Sequence, residues 1–175
     1  MAKDFLNVIE RALMTGISDG INTLTESGEN IHVYGEFPEV EELKFPAVIV
    51  QQTGSGFEEQ MAGQGMSFGA SSGSGEIYGI SYMVHLICEK ETTIQVVSGA
   101  SSASDVYYKQ RRLLNWLMLN VANQVSDLNW DTYKEENLEV LERHLNAWQN
   151  IGFIPDLQWY GASADFLITF KNFRS

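Results

Sequence analysis

The stretch Ile77 to Glu89 alternates with a period of two: Tyr78, Ile80, Tyr82, Val84, Leu86 and Cys88 fall on one face, and Gly79, Ser81, Met83 and His85 on the other. A segment with one wholly apolar face is stable only as a strand of a sheet that buries that face, so the fold is built around a sheet with a layer packed on it. At 13 residues this strand exceeds the usual five or six, so it is expected to bend or to run past its neighbours.

Helical periodicity supplies the covering layer. From Asp4, the residues Phe5, Ile9, Leu13, Ile17, Ile21 and Leu24 recur at helical spacing, with Asp4 as N-cap and Gly28 as stop. Gly16 and Gly20 each cost about 1 kcal/mol in a helix interior. They therefore point either to close packing against another backbone or to a break near Gly16. A second helix is read from the stripe Val106, Leu113, Leu114, Leu117, Val121 and Val125, with Ser102 and Asp105 spaced as a capping box. Thr132 and Glu135 repeat that pattern ahead of Leu138, Leu141, Leu145 and Trp148, which predicts a third, shorter helix.

Further strands are expected at Ile31 to Gly35 and at Phe45 to Thr53, the latter rich in β-branched residues and opened by Pro46, where a missing N–H does least harm. Phe153 to Tyr160 and Phe166 to Phe173, separated by Gly161-Ala162-Ser163, read as a closing hairpin. Strands are clustered and do not alternate regularly with helices. The expectation is α+β: a mainly antiparallel sheet of about four or five strands against two or three helices, in one domain over residues 1–175.

Between Gly54 and Gly75 the chain has seven glycines in 22 residues and no periodicity. This is expected to be a long mobile loop that becomes ordered on assembly, because connections of that length are usually functional or disordered. Its apolar residues Phe57, Met61, Met66 and Phe68 are odd choices for a segment that never meets a partner. Together with Glu58 and Glu59 they form the candidate interaction site.

No apolar run approaches the ~20 residues that span a bilayer, and the amphipathic N-terminus lacks the apolar block of a secretory signal, which leads to the expectation of an intracellular protein. A formal net charge of −12 repels phosphate backbones, and the basic cluster Lys109, Arg111, Arg112 is too small for a duplex footprint. Specific nucleic-acid binding is not expected, although an acidic ring would let DNA pass without sticking.

Chemistry-bearing residues are scattered. His32, His85 and His144 are far apart, with no second ligand at metal spacing, so no metal site and no cofactor is expected. His85 and Cys88 differ in parity on one strand and face opposite ways, which excludes a thiolate–imidazole pair there; Cys88 is read as core. Gly63-Gln64-Gly65 lacks the third glycine and the leading strand of a dinucleotide fingerprint. Adjacent carboxylates such as Glu41 with Glu42 and Glu135 with Glu136 read as solvated charge. The C-terminal aromatics, including Trp159, Tyr160 and Phe166, lack the basic groove of a base-stacking platform and read as core or interface. No catalytic residue is expected.

Taken in order, these features carry a resemblance. An amphipathic N-terminal helix, the strand Phe45-Pro46-Ala47-Val48-Ile49-Val50, the Gly/Ser loop and the strand Gly75-Glu76-Ile77-Tyr78-Gly79-Ile80-Ser81-Tyr82 come first. The helix with Arg111-Arg112-Leu113-Leu114 and the strand Ala164-Asp165-Phe166-Leu167-Ile168-Thr169-Phe170 follow. Across most of the chain this order resembles the tail-terminator and tail-completion proteins of tailed bacteriophages. The resemblance implies a structural virion protein without catalytic residues. It would form a hexameric ring, cap the tail tube or sheath, and offer a surface to the head-connector proteins. The extra segment Asn123 to Asn150 departs from the simplest members of that family. A head-completion or neck protein of the same virion is the nearest alternative, and a small-molecule-binding module or enzyme the more distant one.

Overall fold

The computed structural model describes residues 5–26, 30–57, 66–67, 74–96, 106–129 and 138–174. Along the chain the elements are α1 (Phe5–Asn22), β1 (His32–Tyr34), β2 (Ala47–Phe57), β3 (Met66–Ser67), β4 (Ser74–Glu89), β5 (Thr93–Val96), β6 (Val106–Lys109), α2 (Gln110–Asp127), β7 (Leu138–Ile154) and β8 (Trp159–Arg174). Five strands make the main sheet in the order β1-β2-β4-β8-β7, the two-residue β3 pairs with β4, and β5 with β6 forms a second small sheet. Among the described residues, only β1 runs parallel to its neighbour, and every other pairing is antiparallel. The α+β class with a mainly antiparallel sheet follows.

The alternating segment is the centre of this sheet. It extends to Ser74, and Ile80, Tyr82, Val84, Leu86 and Cys88 are all buried in the core. Antiparallel partners share a face. Tyr82 opposite Phe166, Val84 opposite Ala164 and Leu86 opposite Ala162 therefore build one apolar surface from two strands. The strand runs past one neighbour and not the other: β8 matches it residue for residue from Ser74/Arg174 to Glu89/Trp159, whereas β2 pairs with it only between Tyr78 and Ile87.

Helix α1 is continuous through both glycines and buries Ile9, Leu13, Ile17 and Ile21, as the periodicity predicts. Neither glycine meets another backbone: a Cβ on Gly16 would overlap the side chain of Leu128, while one on Gly20 would meet only the flexible amide end of Gln124, which can swing aside. The predicted caps Asp4 and Gly28 lie outside the described residues. In α2 the expected stripe Leu113, Leu114, Leu117, Val121 and Val125 is buried. The helix begins later than its stripe suggests, since Val106–Lys109 is strand β6, paired with β5, and Lys109 holds the N-cap position. Ser102 and Asp105 lie outside the described residues.

Two further expectations are corrected. The predicted third helix is a strand: from Leu138 to Ile154 the chain is β7, paired with β8 along its length. Register shifts between Val140 and Glu142, Leu145 and Ala147, and Asn150 and Gly152 leave Leu141, Asn146 and Ile151 without a Cα partner. Each bulge inserts one residue and resets the alternation. The positions opposite the core residues of β8 then become Val140, Arg143, Leu145, Trp148, Asn150 and Phe153, with spacings of three and two that imitate a helical stripe. The closing hairpin is also displaced. Its turn is Pro155 to Gln158, while Gly161, Ala162 and Ser163 lie buried within β8.

Within the Gly54–Gly75 segment, β2 continues to Phe57, β3 occupies Met66–Ser67 and β4 begins at Ser74; its remaining residues lie outside the described ones.

Candidate functional site

Of the six predicted interaction residues, the structure describes the backbone at two. Phe57 ends β2 opposite Tyr78, and Met66 opens β3 opposite Gly75. Since β8 takes the other edge of β4 throughout, Phe57 and Met66 lie on the same side of that strand, near its N-terminal end. Glu58, Glu59, Met61 and Phe68 lie outside the described residues.

A surface that sequence reasoning missed lies at the opposite edge of the sheet. Strands are spaced about 4.8 Å apart and a helix is about 10 Å wide, so one helix covers roughly two strands. Here α1 packs on β1 and β2, and α2 packs on β4, β8 and the start of β7. A two-helix layer thus leaves most of the helix-side face of the fifth strand bare. Leu145, opposite core residue Phe166, Trp148, opposite core residue Ala164, and Phe153, opposite Tyr160, all point to that face and are exposed, Trp148 at 52%. The rings of Phe153 and Tyr160 meet at 4.8 Å between centroids. Leu141 and the turn residue Leu157 are exposed as well, while the exposed bulge residue Ile151 lies beside Gly161 on the other face of the sheet.

Charge sharpens the contrast. Leu145 to Ile154 is a run of ten residues without a single charge, in a chain of net charge −12. Its polar side chains are the amides Asn146, Gln149 and Asn150. The neighbouring helix behaves alike: Leu113 to Ser126 is also uncharged, and its outward residues Asn115, Leu119 and Asn123 are exposed, Leu119 at 60%. Surface helices ordinarily carry charges on the solvent face. The absence of charge on both segments was the signal available in the sequence.

The surface is held in place by Arg143, whose guanidinium reaches from β7 to the backbone carbonyls of Ser126 and Leu128 at the C-terminal end of α2. At the other end of α2, the Cys88 thiol donates to the Gln110 carbonyl at 3.7 Å. Helix α2 therefore lies alongside the Ile80–Cys88 half of β4, next to the uncharged part of β7.

The histidines and the cysteine are not gathered. Cys88 is buried in the core, where desolvation pushes its thiol up to about 12. His85 lies on the other sheet face under the ring of Phe37, 4.9 Å between centroids, and burial lowers its pKa. His32 is lowered by burial and then by the nearby Lys44, and His144 is exposed on β7. Two open polar grooves flank β1: one includes Asn22, His32, Tyr34 and Lys44, the other Glu10, Glu36, Gln51 and Gln52. Neither contains His85 or His144. In the second groove, burial and then Glu36 raise the pKa of Glu10. No cluster of metal-ligating side chains occurs among the described residues, and no helix there is long and apolar enough to cross a membrane.

Compared with known proteins, the chain matches no family model, and no curated protein is similar to it in sequence.

Proposed function

We propose that this chain is a structural subunit that works by assembling: a tail-terminator or tail-completion protein of a tailed bacteriophage virion. In this reading copies of the chain form a six-membered ring that caps the tail tube or sheath, stops its growth and presents a surface to the head connector. The ring binds no specific nucleic-acid sequence and catalyses no reaction.

The virion assignment is supported by the resemblance in order and texture of the elements. The assembly reading is carried by one observation, the uncharged and apolar surface along edge strand β7. Exposed apolar patches rimmed by polar groups mark protein–protein contacts, and an edge strand is where a sheet meets another chain. Strong acidity suits a ring through which DNA must slide, because a basic lumen would hold it.

Polymerisation of tail-tube protein in the presence of the purified chain tests the reading. Tubes capped at one end and arrested in length, with ring density at the cap by electron microscopy, are the expected result. Tubes that grow as they do without the chain, and never bind it, would sink the proposal.

A further inference from the structure

We infer that the uncharged surface formed by β7 and the adjoining face of α2 is the docking site for a second copy of this chain. The inference deepens the assembly reading and rests on it, since it states where the copies meet.

Three observations identify the occupant as another copy. First, the chain carries a net charge of −12, so two copies repel each other wherever acidic groups face acidic groups. Leu145–Ile154 and Leu113–Ser126 contain neither acids nor bases, and contact through them brings no like charges together. A basic partner, by contrast, would find nothing on these segments to pair with.

Second, the exposed polar groups of the surface suit themselves. Asn115, Asn123 and Asn150 are amides, Asn150 lying opposite core residue Ala162, and an amide donates and accepts at once, so a surface of amides can satisfy a copy of itself.

Third, the relief is complementary within one molecule. Helix α2 stands above the sheet as a ridge with Leu119 exposed on it, and beside it the bare face of β7 forms a shelf lined by Leu145, Trp148 and Phe153. The ridge of one copy can rest on the shelf of another. Ten strand residues span about 33 Å, and the 14 uncharged helix residues about 21 Å, the scale of contacts that cover about 800 Å² per partner.

The bulges at Leu141, Asn146 and Ile151 define the kind of contact. Interruptions of this sort blunt an edge against open-ended strand addition. The copies then meet through side chains and not by adding strand to strand.

The test is sedimentation velocity on the full chain over a range of concentrations, comparing wild type with Trp148→Glu, Leu119→Glu and, as a control distant from the surface, Val40→Glu. All three side chains are exposed, with Val40 at 76%, so the substitutions leave the core intact, which circular dichroism checks. Wild type and V40E should associate alike, while W148E and L119E each weaken association about tenfold or more. Both variants associating as wild type does would overturn the inference but leave the assembly reading standing, because the copies would then meet elsewhere. Wild type remaining monomeric at every concentration, with tail-tube binding lost in W148E, would overturn it by giving the surface to the tube protein. Wild type remaining monomeric and binding no tubes would overturn both.

Discussion

The guanidinium of Arg143 donates to the backbone carbonyls of Ser126 and Leu128, so a side chain of the edge strand caps the C-terminal end of the helix beside it. The last carbonyls of a helix have no partner within the helix, and a cation is favoured there by the helix dipole. Arg143→Ala should therefore lower stability by about 1–2 kcal/mol in urea unfolding. Arg143→Lys keeps the charge but loses the planar fork, so it should recover only part of that. An unchanged midpoint in Arg143→Ala would show that the cap does not contribute.

Gly16 illustrates how packing overrides propensity. In an isolated helix, glycine to alanine gains about 1 kcal/mol. Here the added methyl would meet Leu128, so Gly16→Ala should instead destabilise by about 1–3 kcal/mol. Trimming the obstacle should reverse the sign: in a Leu128→Ala background, which itself costs about 2–3 kcal/mol, Gly16→Ala should be neutral or stabilising. Additive effects in that double-mutant cycle would contradict the contact.

Histidine burial sets a direction for pH. His85 is held below its ordinary value of 6.5 by burial, so near and below that pH the unfolded chain binds more protons than the folded one. The stability this contributes is present above pH 6.5 and lost as pH falls through the folded-state value. Glu10 acts with the opposite sign: its raised pKa contributes stability that is lost as pH rises through that value. Comparing His85→Gln with wild type isolates the histidine. The variant should lose less stability than wild type between about pH 7.5 and pH 5.5. Parallel profiles would contradict the assignment.

The part of the fold legible in the sequence is the part where period and burial agree. Ile80 to Cys88 alternate because one face meets the helices, and Ile9, Leu13, Ile17 and Ile21 recur because one stripe meets the sheet. In β7 the two disagree. Leu141, Leu145 and Trp148 look like the stripe of a helix because bulges at Leu141 and Asn146 shift the strand's alternation, and no local pattern separates a regularly bulged strand from a short helix. The final turn was hidden differently. Gly161-Ala162-Ser163 has turn composition, yet all three residues lie within β8, paired with Ile87, Leu86 and His85 of β4 and with Gly152, Asn150 and Gln149 of β7. The turn itself is made by Pro155-Asp156-Leu157-Gln158, with the Gln158 side-chain amide donating to the Pro155 carbonyl at 2.7 Å.

The candidate surface was less legible still. Exposure of Trp148 follows from counting helices against strands of the main sheet among the described residues, two covering five, and that count exists only after the fold is known. The uncharged runs were visible beforehand but had no meaning until β7 proved to be the edge of the sheet.

The chain is proposed to act by assembly, and the mass distribution of the purified protein, alone and with tail tubes, tests that most directly. A closed species of fixed copy number that grows with concentration, or forms on the tubes, is the predicted result. A single monomeric mass at every concentration, unchanged by tubes, would contradict it.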